Sequence, residues 1–335
     1  MLAAFFLWPQ ILLRGLMRAA LHSFAVDWIR KDKNIQIISR IAQQIMSRDE
    51  LNMSKVILEK DGRIGRIFLN RPEKLNAIDD DVPDALQDAV LDAEKDPGIH
   101  VIILAGKGKA FCGGYDLAAY AEGDTPNPVY QGERWDPLQD YQFMWGNTQK
   151  FMSLWRCPKP VLCKIHGFAV GGGSDIALCS DMIYMADNAR IGYMSTRVWG
   201  CPSTAMWVYR LGAERAKRVL FTGDQIDGPE AAAMGLVLKS LPENALNAEV
   251  EAMASRLASV PINQLAMQKM VINQAVEATG LNGTQQLATL LDGISRHTPE
   301  GHAFKARVED KGWKQAVAER DNGTFDWTTG TPLKD

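Results

Sequence analysis

Cysteine, histidine and excess charge of either sign are scarce in this chain of 335 residues, and each scarcity argues against a class of function. The five cysteines, Cys112, Cys157, Cys163, Cys179 and Cys201, are odd in number and contain no C-x-x-C pair, which speaks against a disulfide framework and a thiolate zinc site. Buried free thiols in a reducing, cytoplasmic setting fit that pattern. The five histidines include no H-x-x-x-H pair, so no metal centre is expected. A net charge of -3 leaves no overall basic field for nucleic acid or an anionic membrane. No apolar run reaches membrane-spanning length, because Arg14 and Arg18 interrupt the one from Met1 to about Val26. Those arginines follow the first apolar stretch instead of preceding it, unlike the layout of a secretory signal. Short-period repeats and low-complexity tracts are missing too.

What is present is the balance of a globular protein, 46% hydrophobic and 23% charged, with enough chain for a substantial core. Met53-Ser54-Lys55-Val56 reads as a natural beginning, so residues 1–52 are expected to be an amphipathic extension or the product of an upstream start. Val56–Glu59 and Ile64–Asn70 flank the turn-rich Lys60-Asp61-Gly62-Arg63 and predict a hairpin. Asp79 to Lys95 has helical spacing through Val82, Leu86, Ala89, Val90 and Ala93, while Val101–Ala105 and Val161–Ile165 read as buried strands. After Gly200 helical patterns dominate, at Ala213–Leu220, Pro229–Met234, Ala245–Leu257, Asn263–Ala278 and Thr284–Ile294. The expected organisation is an α/β body over 53–250, a helical C-terminal region over 251–325 and a tail over 326–335. Between Ala119 and Asn147 lies a polar, proline- and glycine-bearing segment that reads as a long loop. Its Tyr120, Tyr130, Trp135, Tyr141 and Trp145 are candidates either to line a pocket or to anchor the loop.

Two glycine-rich turns follow the two buried strands. The first runs Gly106-Lys107-Gly108-Lys109-Ala110-Phe111-Cys112-Gly113-Gly114-Tyr115-Asp116-Leu117, and the second Gly171-Gly172-Gly173-Ser174-Asp175. The second sets open backbone amides beside a carboxylate. Amides can hold an oxygen whose charge grows during a reaction, and the acid can move a proton. A dinucleotide loop at Gly106-x-Gly108 is disfavoured, since the third glycine and the later acid fall off the required spacing.

Taken with Asn70-Arg71-Pro72-Glu73-Lys74-Leu75-Asn76-Ala77, Lys159-Pro160-Val161 through Asp181, Thr222 to Asp227 and Ala233 to Val237, these turns resemble the crotonase superfamily, the enoyl-CoA hydratase/isomerase family. The resemblance covers about Val56 to Phe325. It implies an α/β fold built as a crotonase-like spiral of β-β-α turns, with 53–250 as an acyl-CoA-binding core. Homotrimers or hexamers, a CoA thioester as substrate, and no cofactor or metal are also implied. The family's oxyanion amides fall on Cys112 and Gly172. Lys74 and Lys109 resemble positions that meet the CoA nucleotide, and Ala110, Gly113, Gly114, Tyr115, Asp116, Leu117 and Gly171 belong to the segments expected at the substrate. A thiol nucleophile at Cys112 is the weaker reading, for no histidine is near in sequence.

The acids depart from the family pattern. The first catalytic position carries Asp175 in place of glutamate, and the second carries Ser195, whose hydroxyl is neither acid nor base near neutrality without an activating partner. Tyr193 is a candidate alternative proton donor and Arg197 a candidate anchor for a polar or carboxylated acyl tail. Either could instead serve a subunit contact. Hydration of a 2-enoyl-CoA is the leading expectation. Double-bond isomerisation or thioester hydrolysis with a single acid, and non-catalytic acyl-CoA binding, are the alternatives. An RNA-binding relative is disfavoured by the absence of a Lys/Arg stripe.

Overall fold

The computed structural model of the chain describes residues 54–122, 131 and 134–333; the extension over 1–52 and the loop tip with Tyr130 lie outside them. Strands β1 (Val56–Asp61) and β2 (Ile64–Leu69) form the expected hairpin, closed at Gly62-Arg63 with Gly62 at φ 57°. Helix α1 (Val82–Lys95) buries Val82, Leu86, Ala89, Val90 and Ala93, the stripe that its spacing predicts. Strands β3 (Val101–Gly106) and β4 (Val161–Ile165) follow, and all six residues of β3 are buried, as a strand covered on both faces requires.

From β4 onward each turn of the chain gives one strand to a large sheet and one to a small sheet. β5 (Phe168–Val170), β7 (Arg190–Gly192) and β8 (Gln225–Asp227) make the three-stranded sheet. β6 (Met182–Ala186) and β9 (Lys239–Leu241) complete the six-stranded one, ordered β1-β2-β3-β4-β6-β9 and parallel from β2 to β9. This is the spiral of β-β-α turns.

The helices are more numerous than the sequence patterns suggested. Short α2 (Leu117–Tyr120) and the long α3 (Pro137–Phe151) occupy much of the segment read as loop. Asp136 caps α3, accepting from the amides of Leu138 and Gln139 at 3.0 and 3.2 Å, and Pro137 holds its first position. Within that segment Tyr141 and Trp145 stack on each other, and Trp135 stacks on His297 at 4.2 Å. Four-residue α4 (Ser153–Arg156) precedes β4, and α5 (Gly172–Leu178) follows β5. α6 (Met206–Thr222) is longer than expected because it runs through a kink at Gly212. α7 (Gly228–Met234), α8 (Glu243–Ala258), α9 (Ile262–Glu277) and α10 (Leu281–Arg296) match the helical patterns to within a few residues. Two further helices went unread: α11 (Pro299–Lys311), capped by Thr298 onto the Gly301 amide at 3.1 Å, and α12 (Trp313–Asn322). The expected tail holds a small hairpin pairing Phe325–Asp326 with Thr331–Pro332.

Among the described residues no helix is long and apolar enough to cross a membrane, and no cluster of metal-ligating side chains occurs. Cys112, Cys157, Cys163 and Cys179 are buried free thiols, as expected.

Candidate active site

The two glycine turns meet at one cavity of about 370 Å³. Gly171 turns β5 into α5 at φ 54°, ψ -128°, a conformation that side chains rarely adopt, with its amide tied to the Gly192 carbonyl at 2.9 Å. Gly172 then begins α5. A Cβ there would come within 2.8 Å of Tyr115 Cε2 and 2.9 Å of Ile78 Cδ1, so glycine allows the two turns to touch. Gly113, Gly114, Tyr115, Leu117, Gly171, Gly172 and Ser195 all border the cavity, together with apolar Tyr120, Phe143, Met144 and Trp199. Of the candidate aromatics among the described residues, Tyr120 borders it, whereas Trp135, Tyr141 and Trp145 do not; Phe143 and Met144 come from α3.

Cys112 does not supply an open amide. Its N–H donates to the Phe168 carbonyl at 2.8 Å and its carbonyl accepts from Val170 at 3.1 Å, so the residue is a rung between the two turns. Three residues on, the Tyr115 amide has no partner among the described residues, while its neighbours' backbone bonds run to Ile78. The Gly172 amide is open as well, being the first of its helix. The open pair is therefore Tyr115 and Gly172, in place of the expected Cys112 and Gly172. The Cys112 thiol is fully buried, donates to the Asn76 carbonyl at 3.1 Å and is pushed up to about 12 by burial, which leaves it no nucleophile. Cys112→Ala is expected to keep kcat/KM within about threefold and to cost roughly 1 kcal/mol of stability. Complete inactivation of a folded variant would restore the thiol to the chemistry.

Other expected positions lie elsewhere. Lys74 and Lys109 are exposed and stand off the cavity, and Ala110 is buried with its carbonyl accepting from Asn76 Nδ2 at 2.8 Å. Asp116 pairs with Arg71 at 3.2 Å, an ion pair that secures the first turn and takes the carboxylate away from a ligand. Arg197 is engaged too: Nε and Nη1 donate to the Thr222 and Asp321 carbonyls, each at 2.8 Å.

Asp175 is 2% exposed and does not border the cavity; its Oδ1 accepts from Thr204 Oγ1 at 2.5 Å. Burial lifts its carboxyl to about 7, opposed by the Thr204 hydroxyl and reinforced by the charge of Asp292. The phenols of Tyr115 and Tyr193, both at the cavity, are raised first by burial and next by Asp175, which places that acid close to both.

A carboxylate that the sequence reading passed over does border the cavity. Asp292, on α10, receives the Cys201 amide at 2.9 Å on Oδ1 and the Arg296 guanidinium on Oδ2. Arg296 also pairs with buried Asp140 of α3 at 2.5 Å, and Asp140 accepts from Trp135 Nε1 at 2.9 Å. Asp292 Oδ1, Tyr193 Oη and Ser195 Cβ converge on Gly200, where a Cβ would lie 3.6, 3.5 and 3.1 Å from them. An acceptor, a phenol and a hydroxyl-bearing residue thus share one corner near the open amides.

A profile of the enoyl-CoA hydratase/isomerase family matches residues 59–315. Mitochondrial enoyl-CoA hydratase of Pongo abelii is 30% identical over 244 residues, 70% of this chain and 78% of that protein. A crystal structure of an enoyl-CoA hydratase from Mycobacterium smegmatis superposes with a TM-score of 0.76 at 43% identity, covering 81% of this chain and 94% of the other. An enoyl-CoA hydratase/isomerase from Xanthobacter autotrophicus superposes at 0.73 with 27% identity, covering 81% and 98%.

Proposed function

Because the chain belongs to the enoyl-CoA hydratase/isomerase family of acyl-CoA enzymes, we propose that it adds water across the double bond of a 2-enoyl-CoA, with the thioester oxygen held by the Tyr115 and Gly172 amides. The observation that carries this reading is the open amide pair, brought together where Gly172 packs against Tyr115. Conjugate addition of water pushes negative charge onto the carbonyl oxygen, and fixed donors stabilise that enolate more than the ground state.

Two carboxyl groups in unlike surroundings divide the proton work. Asp292, the ion-pair partner of Arg296 at the cavity, takes the proton that water gives up as its oxygen bonds the β-carbon. Asp175, lifted to about 7 and so about half protonated near that pH, lies behind the cavity wall; its proton reaches the α-carbon through the Tyr115 or Tyr193 phenol, which borders the cavity, and exchange with solvent resets both acids. The serine at position 195 then needs no acid–base role, because Asp292 stands near the same corner.

CoA binding needs no other cofactor, and a cytoplasmic setting agrees with the buried thiols. A trimer or hexamer is supported by α10, whose outer face is apolar at Leu287, Leu290, Leu291 and Ile294 while Asp292 and Arg296 point inward.

The reaction is tested by incubating the protein with enoyl-, dienoyl- and 3-oxoacyl-CoA esters in heavy water and reading products by mass. A gain of one water in the enoyl ester is the expected result. A double-bond shift without added water, or free CoA, would replace hydration by isomerisation or hydrolysis.

A further inference from the structure

The wall of the cavity built by α12 carries a buried cation with unused donors. Trp313, Val317, Arg320 and Asp321 border the cavity from one face of that helix, at the i, i+4, i+7 and i+8 spacing that places them side by side. The Arg320 side chain is 7% exposed. Its Nε donates to Asp321 Oδ1 at 2.8 Å, and neither Nη atom has a partner among the described residues. Arg197, the other cation beside Asp321, differs sharply: its donors go to two carbonyls and its charge to Asp224 at 3.6 Å and Asp321 at 3.8 Å.

The Nη atoms are not sealed from water, so solvent in the cavity serves them when it is empty, and a ligand that displaces that solvent has to satisfy them in its place. With Nε taken, the two Nη atoms form an end-on fork, a geometry matched to the two oxygens of a carboxylate. Asp321 does not repel such a ligand strongly, since Arg197 and Arg320 both flank it. Trp199, Trp313, Val317 and Met144 give the cavity apolar walls, so it suits an acyl chain that is apolar in the middle and anionic beyond.

Building on the acyl-CoA reading above, we propose that Arg320 recognises a carboxylate carried by the acyl group, making the preferred ligands CoA half-thioesters of dicarboxylic acids. Arg320 determines specificity and takes no part in moving protons.

The test is equilibrium binding of a matched series of saturated acyl-CoA and ω-carboxyacyl-CoA esters, which need not react, to the full-length protein and to Arg320→Met and Arg320→Lys. The wild type should favour the ω-carboxy ester at the best chain length by about tenfold or more. Arg320→Met should lose that preference while binding the plain ester within about threefold of wild type, and Arg320→Lys should recover part of it. Equal affinity of the wild type for both series overturns the inference and leaves the acyl-CoA reading standing. A loss in Arg320→Met that is equal for both esters, and that vanishes with 3′-dephospho-CoA esters, would assign the arginine to the nucleotide phosphate and overturn it as well. An equal loss that persists with those esters overturns it in favour of a structural role. Binding of neither series removes both readings.

Discussion

Gly172→Pro is expected to lower kcat by roughly 10²–10³ relative to Gly172→Ala, the scale of losing one oxyanion donor. Gly172 is the first residue of α5, a position where proline's fixed φ suits the helix and its missing N–H breaks no intrahelical bond. The substitution therefore removes the proposed donor without breaking a helical hydrogen bond. Alanine is the necessary control, because either side chain places a Cβ within 2.8 Å of the Tyr115 ring and 2.9 Å of Ile78. Both variants carry that crowding; proline in addition loses the amide and sets its Cδ where the N–H pointed, so affinity for a saturated thioester is the check against simple blockage. Affinity for a saturated acyl-CoA should be similar in the two, since the donor matters most once charge has moved onto the oxygen. Turnover measured on the best enoyl thioester, with circular dichroism as the check on folding, decides the matter. Equal kcat in the alanine and proline variants would dismiss Gly172 as a donor.

Local sequence gave good warning of elements whose residues answer to one period. The α1 stripe, the wholly apolar β3, the mostly apolar β4 and the turn at Gly62 formed as expected. The glycine triplet was legible as a turn with open amides because a helix start leaves its first amides unpaired whatever surrounds it. The first turn was harder. Cys112 loses its amide through a bridge to Ala169, a pairing between segments over fifty residues apart, and nothing local distinguishes it from Tyr115.

The distant walls of the site were hidden for a different reason. On α10 the buried stripe is largely polar, with Gln285, Thr289, Asp292 and Arg296, while Leu287, Leu290 and Leu291 face outward. A periodicity argument assigns leucines to the core and an i, i+4 Asp–Arg pair to solvent, which inverts the real arrangement. Packing of α10 on α3 turns that pair inward, where Asp140 completes it. Arg320 was missed along with its helix, though Gly312 and Gly323 bracket α12 and were the available stop signals.

Asp175→Asn should separate catalysis from stability in opposite directions. The amide keeps an oxygen for Thr204 and nearly the same shape, but cannot give up a proton, so a drop in kcat/KM of roughly 10²–10⁴ is expected. In the wild type, kcat/KM should fall as pH rises through about 7, and that limb should be absent from the variant's residual activity. Asp292→Asn should move the same limb to lower pH, because the Asp292 charge helps to raise Asp175. Stability runs the other way. Between the ordinary value of 3.8 and the folded value of about 7, the folded chain keeps a proton that the unfolded chain has lost. Folding stability therefore falls as pH rises across that window and is lowest above it, by roughly 4 kcal/mol at full effect. Asparagine is free of that cost. The melting temperature of Asp175→Asn should exceed that of wild type at about pH 8 and approach it towards about pH 4, where the native carboxyl is protonated. A variant less stable than wild type at the higher pH would mean that the carboxylate is charged and favourably held. Full activity would remove Asp175 from the proton path and leave Asp292 and Tyr193 as the groups to examine at the cavity.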